Sequence, residues 1–301
     1  MKKQANNRAN DNIVLTFRAA TDPTEREQIV RSIDNSHSSD TSSLLLEALS
    51  DRDSFVRIAA METIAAAQLE DMTAPIIEIL RHDRNVLARV TAAENLGDIG
   101  NPEAVPALLK ALSDRNYLVR GWAANSLARF PSTEVINALL QLLASEKYHF
   151  VRVSAMYSLI ILGEKTLLPD LLSELKYSNY HVRCAAVNSL VEVADSHSVA
   201  QVLNAFEEAL TREKTIAVKS AIYSALSQLC KIDMSALHVL EDQFQKDPDD
   251  PVIGINLSRA YLFTNSLQAA KDTLKSVVAQ RSEVREWILN DPDLRNLISP
   301  S

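Results

Sequence analysis

The 301-residue chain is poor in glycine, with five residues at positions 97, 100, 121, 163 and 254. None falls in G-x-x-x-x-G-K-[ST] or G-x-G-x-x-G, so no stretch reads as a loop that cradles nucleotide phosphates. Cysteine is scarcer still. Cys184 and Cys230 sit in helical patterns with no Cys or His at metal-ligand spacing, and read as buried small hydrophobes. With H-E-x-x-H and paired C-x-x-C missing, no zinc site, metal or cofactor is expected, and no catalytic constellation emerges. No apolar run is long enough to span a bilayer. The opening Met1-Lys2-Lys3 resembles the start of a signal peptide, but no hydrophobic stretch follows. These absences predict a cytoplasmic protein without membrane insertion, beginning in a polar, disordered tail over residues 1–10. Net charge is −8, which disfavours wholesale binding of nucleic acid or anionic membrane. Val and Ile recur with helical period rather than in alternation, so no sheet is expected.

What the chain does have is a repeat. Its clearest copy runs Asp114-Arg115-Asn116-Tyr117-Leu118-Val119-Arg120-Gly121-Trp122-Ala123-Ala124-Asn125-Ser126-Leu127. A polar turn leads to an apolar residue and a base; a small residue follows three later and a large apolar one seven later. The bases are Arg57, Arg89, Arg120, Arg152, Arg183 and Lys219, at steps of 32, 31, 32, 31 and 36 residues. Self-similarity at this period marks a solenoid. Positions −1, +3 and +7 from the base share one stripe of a helix. A second apolar-periodic segment precedes each copy, as in residues 104–112. Each copy is thus a pair of antiparallel helices, neither able to bury its face alone.

Asn101-Pro102-Glu103-Ala104-Val105-Pro106-Ala107-Leu108-Leu109, leading into Asp114 and Val119-Arg120, resembles the HEAT-repeat family, and within it the HEAT-like repeats of phycobilisome lyases. The resemblance covers roughly residues 40–230 and implies an all-α solenoid of stacked helix pairs. It carries little about function, since such repeats serve scaffolds, lyases, immunity proteins and DNA-repair enzymes alike.

Three regions are expected: a tail and helical cap over 1–39, about six repeats over 40–230, and a helical extension over 231–301. The cap holds two short helical patterns, 13–20 and 24–33, without the Val-Arg signature; it is read as shielding the first repeat's open face. Acids at the turns (Asp51 and Asp53, Asp83, Asp114, Glu146) stand beside the column of bases, with Ser178 in their place in the fifth copy. The bases are read as a structural ladder reaching turn carbonyls and carboxylates of adjoining repeats, the alternative being an anion site. After the break at Asp247-Pro248-Asp249-Asp250-Pro251, residues 251–280 resemble one tetratricopeptide repeat, on Leu257, Tyr261, Ala270 and Leu274, with Asn265 where that repeat turns on glycine.

With the −1, +3 and +7 stripe buried, positions +2, +5 and +9 of the second helix are expected to point away from the core, and that helix lines the concave side in the family. The resulting row includes Glu62, Glu94, Asp98, Trp122, Asn125, Arg129, Tyr157 and Asn188, with Ala59, Thr91 and Ser154 at other +2 positions. Its amino-terminal end is acidic and its middle aromatic. That pattern suits a groove for a protein or peptide partner bearing Arg or Lys, through aromatic area and cation–π contact; the alternative for Trp122 is that it seals the gap between repeats. The function expected is therefore a non-enzymatic scaffold or adaptor, with an immunity or inhibitor protein as a specific version. The alternatives are a bilin lyase or chaperone of the phycobilisome type and, opposed by the charge, a HEAT-like DNA glycosylase.

Overall fold

A computed structural model describes residues 13–33 and 39–298; the tail expected over residues 1–10 lies outside them. Helices dominate and no strand occurs among the described residues. None of these helices is long and apolar enough to cross a membrane. The chain forms two compact units that divide between Lys165 and Thr166.

Unit 1 contains α1 (residues 13–19), α2 (Pro23–Arg31), α3 (Ser39–Leu49), α4 (Ser54–Ala66), α5 (Thr73–His82), α6 (Val86–Ile99), α7 (Val105–Ala111), α8 (Tyr117–Ser126), α9 (Thr133–Ser145) and α10 (His149–Ile161). The second helices α2, α4, α6, α8 and α10 pack on one another in that order, more closely than the first helices α3, α5 and α7 do. The crowded side of such a stack is its inner face. Val56, Ala60 and Ile64, then Ala88, Ala92 and Leu96, then Val119, Ala123 and Leu127 are all fully buried, so the −1, +3 and +7 stripe forms the core.

Close approach has a local cause. A Cβ on Gly97 would lie 2.6 Å from Ser126 Cβ and 3.0 Å from its Cα, so α6 and α8 meet where one side chain is missing. Hydroxyls fasten the same interfaces. Ser126 Oγ donates to Ala93 O at 2.8 Å and Ser158 Oγ to Ala124 O at 2.7 Å, each reaching the preceding second helix. Asn95 occupies this register in α6, and its buried Nδ2 has no partner.

The turns are built by one device used repeatedly. Arg57 Nε and Nη2 donate to Asp83 Oδ2 and Oδ1 at 2.7 and 2.8 Å, while its Nη1 donates to Asp51 O at 2.8 Å in its own turn. Arg89 does the same with Asp114 and Asp83 O. Arg120 pairs with Glu146 and donates to Asp114 O. The carboxylates also accept turn N–H groups: Asp83 Oδ1 from Asn85, Asp114 Oδ1 from Asn116, Glu146 Oε1 from Lys147 and Tyr148. Each guanidinium thus clamps its own turn and the next. Asn85 and Asn116 then cap α6 and α8 by accepting from Leu87 and Leu118 N–H.

The ladder begins one copy before the Val-Arg signature. Arg26 on α2 donates to Ala20 O and Thr21 O and pairs with Asp51 at 2.7 Å, the same set of bonds. Glu25 rather than Val stands immediately before this base, and the pattern taken from later copies misses it for that reason.

Unit 2 contains α11 (Leu168–Ser173), α12 (Tyr180–Val193), α13 (Val199–Arg212), α14 (Ile216–Leu229), α15 (Ser235–Lys246), α16 (Pro251–Phe263), α17 (Leu267–Gln280), α18 (Val284–Asn290) and α19 (Arg295–Ile298). Here α12, α14 and α16 stack in sequence and α17 folds back on α16. Arg183 pairs with Glu213 at 2.7 Å and donates to Tyr177 O and Ser178 O. The sixth copy's turn acid is thus Glu213, at the end of a longer first helix. Lys219 makes no such bond; it is half-buried, with no side-chain ion pair or hydrogen bond among the described residues. Asn265 turns α16 into α17 with φ 59°, a left-handed conformation in which Asn is the usual substitute for glycine. Leu257, Ala270 and Leu274 are buried in that pair, and Leu274 belongs to an apolar cluster with Val277, Val284, Ile288 and Leu294.

Candidate functional site

The inner face of unit 1 is built from the +5 and +9 positions of its second helices. Glu62 on α4, Asp98 on α6 and Arg129 after α8 are exposed; Glu94, Trp122, Asn125 and Tyr157 are half-buried. The +2 position behaves differently from expectation. Ala59, Thr91 and Ser154 are buried, because neighbouring second helices approach closely enough to cover that side. Trp122 is the large +2 residue, and its bulk leaves it half-covered.

The three acids come together. The carboxyl of Glu94 lies above its usual range, first because burial disfavours its charge, then because Asp98 and Glu62 add like charge. Among the described residues no cation pairs with Glu94 itself. Glu62 and Asp98, by contrast, are neutralised within the face. Arg31 Nη1 donates to Glu62 at 2.5 Å, and Arg129 Nη2 lies 3.4 Å from Asp98 Oδ1. Both pairs are 45–62% exposed, so each contributes little to stability and is open to exchange with a partner's charges. The acidic row is therefore one uncompensated carboxylate between two loose ion pairs.

Arg31 was not among the residues the repeat pattern pointed to. Its signal is nonetheless present: it stands five residues after Arg26, as Glu62, Glu94, Asn125 and Tyr157 stand five after Arg57, Arg89, Arg120 and Arg152. Asn188 belongs to unit 2. It is exposed and lines a cleft of about 310 Å³ with Val191, Glu192, Ser224 and Gln228, between α12 and α14.

Cys230 is buried as expected, whereas Cys184 is only half-buried. Burial pushes the Cys230 thiol up to about 11 and raises Cys184 as well. A raised thiol holds little thiolate at neutral pH and is a poor nucleophile. Among the described residues no group of three His, Cys, Asp or Glu side chains is placed to hold a metal ion.

Comparison with known proteins agrees with this architecture. The family model for HEAT repeats matches residues 12–85 and 73–160. The chain belongs to the HEAT-repeat family. Its first match begins before the Val-Arg signature, in the segment that holds Arg26. Over 134 residues it is 31% identical to the AP-4 complex subunit epsilon of Arabidopsis thaliana, an alignment covering 43% of this chain and 14% of that subunit. Among solved structures, the complex of CpcE and CpcF of phycocyanin lyase from Nostoc sp. PCC7120 is similar with a TM-score of 0.50 and 18% identity, over 82% of this chain and 97% of that one. Kap121p is similar at 0.51 and 16%, over 91% of this chain and 36% of its own. At such identities the likeness is one of fold: an α-solenoid.

Proposed function

We propose that this chain is a non-enzymatic scaffold or adaptor that holds a partner protein or peptide against the inner face of unit 1. In this reading the partner presents a basic side chain to Glu94. The single observation that supports it most is the raised carboxyl of Glu94, a charge kept half-buried beside two other acids with no cation of its own. A partner's Lys or Arg supplies the missing charge. Asn125, Trp122 and Tyr157 continue the face on the following two copies. Trp and Tyr are the residue types that anchor interfaces, each contributing about 2 kcal/mol or more when well packed. An immunity or inhibitor protein that blocks a basic partner is the specific form this reading takes. The AP-4 relative, itself named as a subunit of a complex, is consistent with a protein partner.

A bilin lyase or chaperone is the second reading. It is supported by the fold likeness to the phycocyanin lyase complex, and incubation with a bilin and its apoprotein, followed by absorbance, tests it. The pair α16–α17 is read as tetratricopeptide-like on the left-handed Asn265 and the buried Ala270 and Leu274.

The scaffold reading is tested by affinity capture from the native host with wild type, Glu94→Lys and Trp122→Ala, followed by titration of the recovered partner against each purified protein. The expected result is loss of at least about tenfold in affinity for both variants, with helicity and melting temperature nearly unchanged. Unaltered affinity in both removes the inner face from the function. Equal loss of fold and binding for Trp122→Ala makes Trp122 a core residue.

A further inference from the structure

A second surface lies on the turns of unit 1, away from the inner face. Directly after each ladder carboxylate comes a base: Arg52, Arg84, Arg115 and Lys147, at steps of 32, 31 and 32 residues. All four are exposed, and Arg52, Arg84 and Arg115 have no ion-pair partner among the described residues. The carboxylates beside them are already taken. Asp51, Asp83, Asp114 and Glu146 are only 5–16% exposed and are held at 2.7–3.0 Å by Arg26, Arg57, Arg89 and Arg120. The further acid there, Asp53, caps α4 by accepting from Phe55 N–H. The uncompensated charge along this edge is therefore positive, on a chain whose net charge is −8.

The same turns expose large apolar side chains one to three residues after each base. Phe55 is 57% exposed, Leu87 50%, Tyr117 37% and Tyr148 43%. They lie two to four residues before the ladder base of their copy, Phe55, Leu87 and Tyr117 in the first turn of a second helix and Tyr148 at the N-cap of α10. Tyr117 and Tyr148 from adjacent copies stack with ring centroids 5.0 Å apart, and Lys147 Nζ lies 5.5 Å from the Tyr148 ring centre. Between the first two turns an open cleft of about 530 Å³ is lined by Arg52, Ser54, Arg84 and Asn85 among others.

We propose that this turn edge binds an extended acidic segment of a partner protein, one carboxylate and one apolar side chain of the segment to each copy. Charge complementarity selects the carboxylates, and Phe55, Leu87 and the tyrosines select the apolar residues. The spacing sets the period. Packed helices lie about 8–10 Å apart, and a polyproline II chain advances about 3.1 Å per residue with three residues per turn. Every third side chain of such a segment faces the same way and meets the next copy's base. A polynucleotide fits less well: four bases neutralise few phosphates, and the tyrosine pair stacks on itself rather than on a base. This surface is independent of the inner face.

The test is fluorescence anisotropy of the full chain at low salt with a labelled peptide of Glu-Leu-Pro triplets, about 12 residues long to span the four copies. The expected result is saturable binding that falls at least about tenfold in R84E/R115E and falls with added salt. Leu87→Ser with Tyr117→Ser is expected to weaken it several-fold, and Trp122→Ala to leave it unchanged, which separates this surface from the inner face. A peptide of the same composition with its glutamates in one block is expected to bind several-fold more weakly. The proposal is overturned by no binding, by equal binding to R84E/R115E of wild-type helicity, by equal binding of the blocked peptide, by loss of binding in Trp122→Ala, or by an oligodeoxythymidine that binds more tightly than the peptide.

Discussion

Glu94 sits in a place that favours its neutral form. Its folded carboxyl binds a proton more tightly than the unfolded one, so its charge destabilises the native state at neutral pH, and the penalty is relieved as pH falls through the raised folded value. Glu94→Gln is accordingly expected to raise the melting temperature at pH 7, with the gain vanishing below the ordinary glutamate range, where both states are protonated. Melting curves of the two proteins across pH check this; a lower melting temperature for the variant at pH 7 contradicts it. The same variant is expected to bind a basic partner less well, since the partner's Lys or Arg then meets a neutral amide in place of a carboxylate. The residue scale is also where reading the sequence fell short. The +5 column that brings Glu62 and Glu94 onto one face follows from helix geometry alone. That Glu62 and Asp98 would be answered by Arg31 and Arg129 does not, because both partners come from the neighbouring copy and depend on how tightly copies stack. The burial of Ala59, Thr91 and Ser154 was missed for the same reason.

At the scale of the helix pair, two features set the spacing between copies. Gly97 lets α6 and α8 touch, and a methyl there strikes the Cβ and Oγ of Ser126 at 2.6 Å and its Cα at 3.0 Å, so the backbone itself must shift. Gly97→Ala is expected to cost about 1–3 kcal/mol by overpacking, read as a shift in the urea midpoint. Gly121 differs in kind: its added Cβ meets the edge of the Phe150 ring, a side chain able to give way. The ladder is the other feature. Arg89 is 4% exposed and bonded to two turns at once, so Arg89→Met leaves Asp114 without its cation and two turns unclamped. That variant is expected to lose about 3 kcal/mol or more, as for removal of one member of a buried pair. The same measurement on Arg129→Met, an exposed pair, is expected to give less than about 1 kcal/mol. The column of bases was legible because a 31–32-residue period repeats it. The direction of each bond, from one copy's base to the next copy's acid, needed the turn geometry.

For the molecule as a whole, the ladder makes stability depend on acid. Burial by itself would raise Glu213; hydrogen bonds from Arg183, the Thr215 N–H and the Thr215 hydroxyl, with the charge of Arg183, hold it down from its ordinary 4.5 to about 2. Asp51, Asp114 and Glu146 are lowered by the same balance, with Arg26, Arg89 and Arg120 as the donors. A carboxyl with a depressed folded pKa contributes stability above its unfolded value and loses it as pH falls toward the folded one. Stability is therefore expected to be nearly flat from pH 7 to about 5 and to drop between about 4.5 and 2, tracked by circular dichroism during acid titration. An onset near pH 6 contradicts the ladder as its source. The solenoid architecture was readable from period alone, whereas the division between Lys165 and Thr166 has no counterpart in the repeat spacing, which runs through it at an unbroken 31 residues from Arg152 to Arg183.

Because the rungs of Arg26, Arg57, Arg89 and Arg120 each join a base in one copy to an acid in the next, a copy within that run carries half of two rungs and the whole of none. Tandem duplication of one 31- or 32-residue stretch would then insert a unit whose acid meets the base before it and whose base meets the acid after it, leaving no charge stranded. Such an array is able to lengthen or shorten in evolution by whole units, while a gain or loss of half a unit would strand two charges and be removed by selection.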